Sequence, residues 1–277
     1  MKYNKVTDNV TQLQIAQGSN IVCISLEDEL IFIDTGLNTI VANDFRKQME
    51  QKYQKKASTL LITHAHIDHF LGMKAFSDCT IVAAEAAQQR FSRFVGIQFT
   101  DEIIENMSKI FPSIKTAVTV AKISKPHLWV KEKKSFGPDE EILFEVKGGH
   151  SSCSSVIFYK PDKILMVGDL IQAKVYPYFG EPDTDMNKWI QALKEWNNQD
   201  VNYILPGHGG ILNKDYAQSV LGFFEKIIKE LQKFKKEGLS EEELLKQPVF
   251  SEGYWPKSAI RKPSYDYSLL NLYRQLE

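Results

Sequence analysis

Thr63-His64-Ala65-His66-Ile67-Asp68-His69 places four metal-competent side chains within six positions, directly after the apolar run Thr59-Leu60-Leu61-Ile62. His64 and His66 are two apart, so in extended chain their side chains leave the same face and can grip one ion. Asp68 and His69 follow where the chain must turn, and a turn redirects them towards a second ion. Imidazole and carboxylate at this density suit zinc, and also iron or manganese. The chain has six histidines, and five of them lie in this stretch or in two glycine-rich turns downstream, so scattered surface histidines do not explain the count.

Those turns lie further along the chain. His150 follows Gly148-Gly149 closely after the β-like run Ile142–Val146, and His208 sits in Pro206-Gly207-His208-Gly209 after Val201–Leu205. Asp169 stands in Val167-Gly168-Asp169, at the end of the apolar run Ile164–Val167. Glycine beside such a residue lets the backbone turn tightly and approach a ligand closely. Alone, each is an ordinary turn. With the histidine cluster, they describe a metal site assembled from strand ends.

The rest of the pattern says what holds those ends together. Val10–Ala16, Asn20–Leu26 and Leu30–Asp34 read as a meander of short strands, broken by Gly18-Ser19 and Glu27-Asp28-Glu29. Helical spacing covers about 40–53, Met186–Trp196 and Tyr216–Phe234. Thr100 before Asp101-Glu102 is a cap signal, and Ser240 with Glu243 resembles a capping box. Strands in runs with helices between them predict an α/β fold of two packed sheets covered by helices. No repeat or linker divides the chain, so one domain over 1–277 is expected, with a helical insertion at about 84–122 and a C-terminal helical extension at about 214–277.

The ordered set T-H-A-H-I-D-H, G-G-H, G-D and P-G-H-G, spanning 63–209, is similar to the signature of the metallo-β-lactamase superfamily. Upstream, Phe32-Ile33-Asp34-Thr35-Gly36 resembles that superfamily's early motif, whose Asp supports the ligands from behind. The resemblance implies a four-layer αβ/βα sandwich of two mixed sheets, with two divalent ions in a shallow cleft at the sheet edges. Carried over, His64, His66 and His150 hold one ion, Asp68, His69 and His208 the other, and Asp169 bridges them. A bridging Asp matches the glyoxalase II and lactonase-like branch and departs from zinc β-lactamases with a Cys ligand. Cys153 reads as core or loop, and His127, which matches no motif, as an ordinary partly buried residue.

Composition narrows the partners. The 277 residues carry 34 basic and 35 acidic side chains, a net charge of −1 that offers no footprint for nucleic acid. The lysines at 131, 133 and 134 read as solvated surface. No window approaches the ~18 apolar residues of a membrane span, no secretory leader is visible at the N-terminus, and three cysteines without C-x-x-C pairing suit a reducing cytoplasm.

Two ions sharing a water bring its pKa from about 15.7 towards neutrality, which predicts hydrolysis of a small ester-like substrate, namely a thioester, lactone or lactam. Asp68 is the expected proton handler; Tyr176 and Tyr178, close after Asp169, either donate to a developing oxyanion or simply pack, as aromatics near a turn more often do. Phe91, Phe94, Val95, Phe99 and Phe111 either lid the cleft or bury the insertion's own helices. The C-terminal aromatics Phe250, Tyr254, Trp255, Tyr265, Tyr267 and Tyr273 either wall the substrate or make a homodimer contact. The alternatives are a phosphodiesterase or nuclease, which lacks a visible basic arm here, and a mononuclear-iron enzyme resembling persulfide dioxygenases, against which the seven-ligand set argues.

Overall fold

Strands β1 (Lys2–Lys5), β2 (Val10–Gln14), β3 (Ile21–Ser25) and β4 (Glu29–Ile33) form an antiparallel meander in a computed structural model that describes residues 1–247 and 262–276. Helix α1 (Thr39–Tyr53) then crosses over, so β5 (Lys56–Leu61) pairs with β4 in parallel. The short helix α2 (Ile67–Phe70) and a 3₁₀ segment lead to β6 (Thr80–Ala84). Three short helices follow: α3 (Gln88–Phe94), α4 (Asp101–Ser108) and α5 (Ile114–Val118). Strand β7 (Leu128–Val130) completes a seven-stranded sheet in the order β1 to β7.

The second sheet starts from β8 (Lys133–Phe136), β9 (Ile142–Val146), β10 (Ser155–Tyr159) and β11 (Ile164–Gln172), all antiparallel. Helix α6 (Met186–Asn198) returns the chain so that β12 (Tyr203–His208) lies parallel to β11. Helices α7 (Lys214–Glu237), α8 (Glu241–Leu245) and α9 (Lys262–Gln275) end the described chain.

Alternation along the strands sorts the apolar residues into layers. Val22, Ile24, Ile31, Ile33 and Leu61 face Ile157, Ile164, Met166 and Leu205 across the space between the sheets. Their neighbours Ile21, Cys23, Leu30, Phe32 and Leu60 point the other way, to α1 and the α3–α5 insertion. Leu165 and Val167 turn to α6, α7 and α9. The result is the four-layer αβ/βα sandwich of two mixed sheets. Cys153 is wholly buried in the first outer layer.

Both anticipated caps are present: Thr100 accepts from the Ile103 amide, and Ser240 and Glu243 form a reciprocal capping box. Strands β1, β7 and β8 go beyond the sequence pattern. All three are sheet edges, and the exposed lysines of β1 and β8 are solvated, as expected for 133 and 134, while also guarding those edges. His127 is exposed rather than partly buried. It extends the β6–β7 ladder, its amide donating to the Ile81 carbonyl (2.8 Å) and its ring Nδ1 accepting from the Ile81 amide (2.9 Å). Among the described residues no helix is long and apolar enough to cross a membrane.

Candidate metal centre

Thr63 is the joint between the two sheets. Its carbonyl accepts from the Ser155 amide at 2.8 Å, while its own amide and hydroxyl donate to Asp34 Oδ1 and Oδ2 at 2.8 and 2.7 Å. Asp34, just past β4, takes a left-handed φ of +56°, which costs a side-chain-bearing residue on the order of 1–2 kcal/mol. That cost is offset by the three hydrogen bonds its carboxylate receives, the third from His69 Nδ1 at 2.7 Å. Gly168 approaches from β11 with φ +50°, and a Cβ there would stand 2.8 Å from Thr63 Cβ, so this contact between sheets requires glycine.

From this joint the chain emerges extended through His66 (φ −92°, ψ 140°) and enters α2 at Ile67. His64 and His66 therefore project from extended backbone, whereas Asp68 and His69 project from a helical turn. His64 Nε2 and His66 Nδ1 lie 2.9 Å apart, and His150 Nε2 lies 3.1 Å from the same His66 atom. The other ring nitrogens are engaged behind. His64 Nδ1 is 3.2 Å from Thr63 Oγ1, His150 Nδ1 donates to the Tyr178 carbonyl at 2.8 Å, and His66 Nε2 faces Glu181 Oε1 at 3.1 Å. For His64 and His150 such partners fix the tautomer and leave the inward nitrogen as a lone pair, whereas His66 Nε2 meets Glu181 as an ion-pair contact without hydrogen-bond geometry.

Asp169 and His208 close the site from β11 and β12. Asp169 Oδ1 lies 3.2 Å from His69 Nε2 and 3.3 Å from His208 Nε2, and His208 Nε2 is also 3.3 Å from Asp68 Oδ2. Asp169 Oδ2 accepts from Gln172 at 2.5 Å. At Gly207 any Cβ would fall on Asp169 Oδ1 and crowd the Gly168 backbone, so the glycine before His208 makes room for the carboxylate. Asn20 clamps the turn: its amide donates to the Gly207 carbonyl (2.7 Å) and its side chain to those of Pro206 (3.0 Å) and Gly209 (2.8 Å). The candidate ligand atoms fall into two groups, His64, His66, His150 and Asp169, and then Asp68, His69 and His208, each within 4.8 Å.

The donor chemistry fits two cations. Burial first, and neighbouring imidazoles second, hold His64 well below its usual pKa and lower His150 to about 4, so lone pairs rather than protons crowd the first group. Tetrahedral ions with bonds of ~2.0–2.1 Å to nitrogen would space such donors roughly 3.3 Å apart, close to what is seen. In the second group burial opposes protonation of His69, but Asp169, Asp34 and Asp68 together outweigh it and raise its pKa far above the ordinary value. That group is negative enough to hold a positive charge. His69 Nε2 and Asp169 Oδ1 are both buried without a hydrogen-bond partner, a costly arrangement unless a cation sits between them.

The seven predicted ligands and Asp34 are thus brought together, but the two tyrosines part company. For Tyr176 packing prevails: its ring is buried against Tyr265 (4.3 Å), Phe223 (5.2 Å) and Phe179 (6.0 Å), in the layer under α7. Bulky aromatics pack where apolar surface is available. Tyr178 stays at the site, its ring 6.2 Å from that of His150. Of the C-terminal aromatics, Tyr265 and Tyr273 are buried, Tyr267 is 48% exposed, and Phe250, Tyr254 and Trp255 lie outside the described residues.

Four functional side chains escaped sequence reasoning: Asn20, Gln172, Arg90 and Glu181. Glu181 joins His66 to Arg90 Nη2 (2.9 Å), which also reaches Asp183 (2.6 Å), and Asp183 in turn accepts from the Ser152 amide (3.0 Å). This chain of ion pairs holds Glu181 near a pKa of about 2 against its burial, through His66 and Arg90. A local signal existed only for Gln172, three residues beyond Asp169 on the same strand.

Comparison with known proteins places this geometry. A family model described as "Metallo-beta-lactamase superfamily" matches residues 16–208. A "Metallo-beta-lactamase type 2" from Bacillus sp. (strain 170) is 23% identical over 201 residues, covering 71% of this chain and 68% of its own. A solved metallo-beta-lactamase from Pontibacter korlensis superposes with a TM-score of 0.60 at 16% identity, covering 81% of this chain and 98% of its own. A solved variant of the sec-alkyl sulfatase PisA1 superposes with a TM-score of 0.72 at 14% identity, over 99% of this chain and 49% of its own.

Proposed function

We propose, from the premise that the chain belongs to the metallo-beta-lactamase superfamily and is a metal-dependent hydrolase, that it uses two divalent ions to hydrolyse a small ester-like substrate: a thioester, lactone or lactam. The observation that carries this reading is the pairing of two donor groups, four and three residues strong, across one Asp169 carboxylate. Zinc suits the imidazole-rich set best, with iron and manganese as the other candidates. Bound there, such ions lower the pKa of water and polarise the oxygen of a scissile bond.

The protein's own residues do the rest. Asp34 and Thr63 lock the His69 and His64 rings, so the ligands need no reorganisation when the site is loaded. Asp68 has a carboxylate oxygen 3.3 Å from His208 Nε2 and is the group we assign to proton transfer. Tyr178, whose hydroxyl burial raises to a pKa of about 12, keeps its proton at neutral pH and can donate to a developing oxyanion. The cysteines are all free and buried, which accords with a reducing cytoplasm. The superposition with a sec-alkyl sulfatase over nearly the whole chain favours adding sulfate esters to the substrate classes.

The test begins with metal content per chain of protein purified without added metal, where we expect close to two. Turnover on thioester, lactone, lactam and sulfate-ester panels follows. Asp68→Ala should lower kcat by about 10²–10⁴ while substrate affinity changes far less. An unchanged rate with metals intact removes Asp68 from proton transfer, and one iron with no hydrolysis removes the two-metal reading altogether.

A further inference from the structure

The geometry points to the crevice among α3, α4 and α5 as the binding site for a hydrocarbon tail on the substrate whose ester group sits at the metal centre. This assignment rests on the hydrolase reading for the head group and on the insertion itself for the tail.

The insertion is fastened on both sides of the metal centre. On one side Arg90 of α3 reaches Glu181, the partner of His66. On the other, the Ser113 amide before α5 donates to Gln17 Oε1 (3.0 Å), and two residues on from Gln17 the Ser19 amide donates to the Asp68 carbonyl (3.2 Å). Between these fastenings lies a cavity of about 560 Å³, lined chiefly by Phe94, Ile97, Phe99, Ile104, Val118 and Ile123. Phe94 is four residues beyond Arg90 on one helix, about 6 Å along its axis and on the same face. Its ring also stands 5.4 Å from that of Phe70, the residue after His69. The crevice therefore begins about one helical turn from a residue that reaches a ligand's own partner.

Its chemistry selects the occupant. The volume falls within the roughly 300–1,000 Å³ of ordinary small-molecule sites. Lys122 is the one charged residue in the lining, and it is exposed. Helix α4 buries none of its residues, and its Ile104 and Met107 are half-buried against apolar neighbours. Half-wet apolar side chains around a cavity of this size gain most from a hydrocarbon that displaces the water.

The test separates tail binding from catalysis. Metal-stripped full-length protein is titrated with a dansylated medium-chain fatty acid and its fluorescence followed. Saturable binding is expected in the wild type, weakened at least about tenfold in Ile104→Asp, which buries a charge against the tail. Val118→Trp, which fills the crevice without a charge, serves as a second variant with the same expected loss. Ile110→Asp, at a residue 71% exposed and outside the lining, should bind like the wild type. In the metal-loaded protein, kcat/KM on a homologous ester series should rise about fourfold per methylene, the rate equivalent of ~0.8 kcal/mol, and flatten in the two crevice variants. No saturable binding, or equal binding in wild type and both variants, overturns the assignment even if esters are hydrolysed. Binding that the variants abolish, with no ester turned over, upholds the crevice and overturns the hydrolase reading instead.

Discussion

Helices α4 and α7 both lay an amphipathic face against the sandwich, yet they use it in opposite ways. α7 sinks Val220, Phe224, Ile227 and Leu231 into the layer shared with α6 and α9, and Phe224 meets the Trp189 ring edge-on at 4.8 Å. α4 sinks nothing, and its neighbours enclose a cavity. Length supplies part of the reason. Twenty-four residues give α7 nearly seven turns over which to find partners, whereas eight give α4 little more than two. Anchorage supplies the rest: α7 is held by a continuous apolar layer, while in the insertion Phe91 of α3 and Ile114 and Ala117 of α5 are sunk into the other outer layer, with polar fastenings at Arg90 and Ser113, and α4 between them sinks nothing. A helix suspended in this way can line a binding site without itself being part of the core.

The largest effect that would break this contrast is on α7. Phe224→Ala should cost about 3–5 kcal/mol in urea unfolding, because a wholly buried ring leaves a cavity. A loss below about 1 kcal/mol would mean that the layer under α7 is no better packed than the insertion.

Next come the polar fastenings. Glu181→Gln should weaken metal binding by about 10–100-fold in a chelator competition, because His66 loses the carboxylate that faces its ring, and Arg90→Ala should weaken it to a smaller extent, because it frees that carboxylate rather than removing it. Unchanged metal affinity in both variants would detach the insertion from the site and leave it a surface ornament.

The smallest effect sharpens the contrast. Ile104→Ala on α4 should change unfolding free energy by less than about 1 kcal/mol, since the side chain is only half-buried. Its effect should appear instead in which ester chain lengths are preferred. A destabilisation of the size expected for Phe224→Ala would show that α4 belongs to the core after all.

Reading the site from sequence worked where the physics is local. His64 and His66 share a face because extended chain has period two, and Asp68 and His69 diverge because a helical turn begins at Ile67. The glycines at 168 and 207 marked tight turns beside the candidate ligands, but what each makes room for, Thr63 and Asp169, only the fold reveals. The choice between packing and oxyanion donation at Tyr176 lay outside local physics, because proximity to Asp169 along the chain says nothing about direction, and the apolar layer under α7 claimed the ring.

What the sequence determined by itself was therefore the set of candidate metal-binding side chains and the alternation of strands and helices around it, both properties of neighbouring residues and their spacing. Only the tertiary structure decided what stands behind the ligands and beside them. Asn20 holds Pro206 across 186 positions and Arg90 meets Asp183 across 93, and nothing in the local sequence at either end carries the identity of its partner. The crevice has the same origin. Whether an apolar side chain is buried or left lining a cavity depends on how closely the facing elements approach, a distance set by packing across the whole fold.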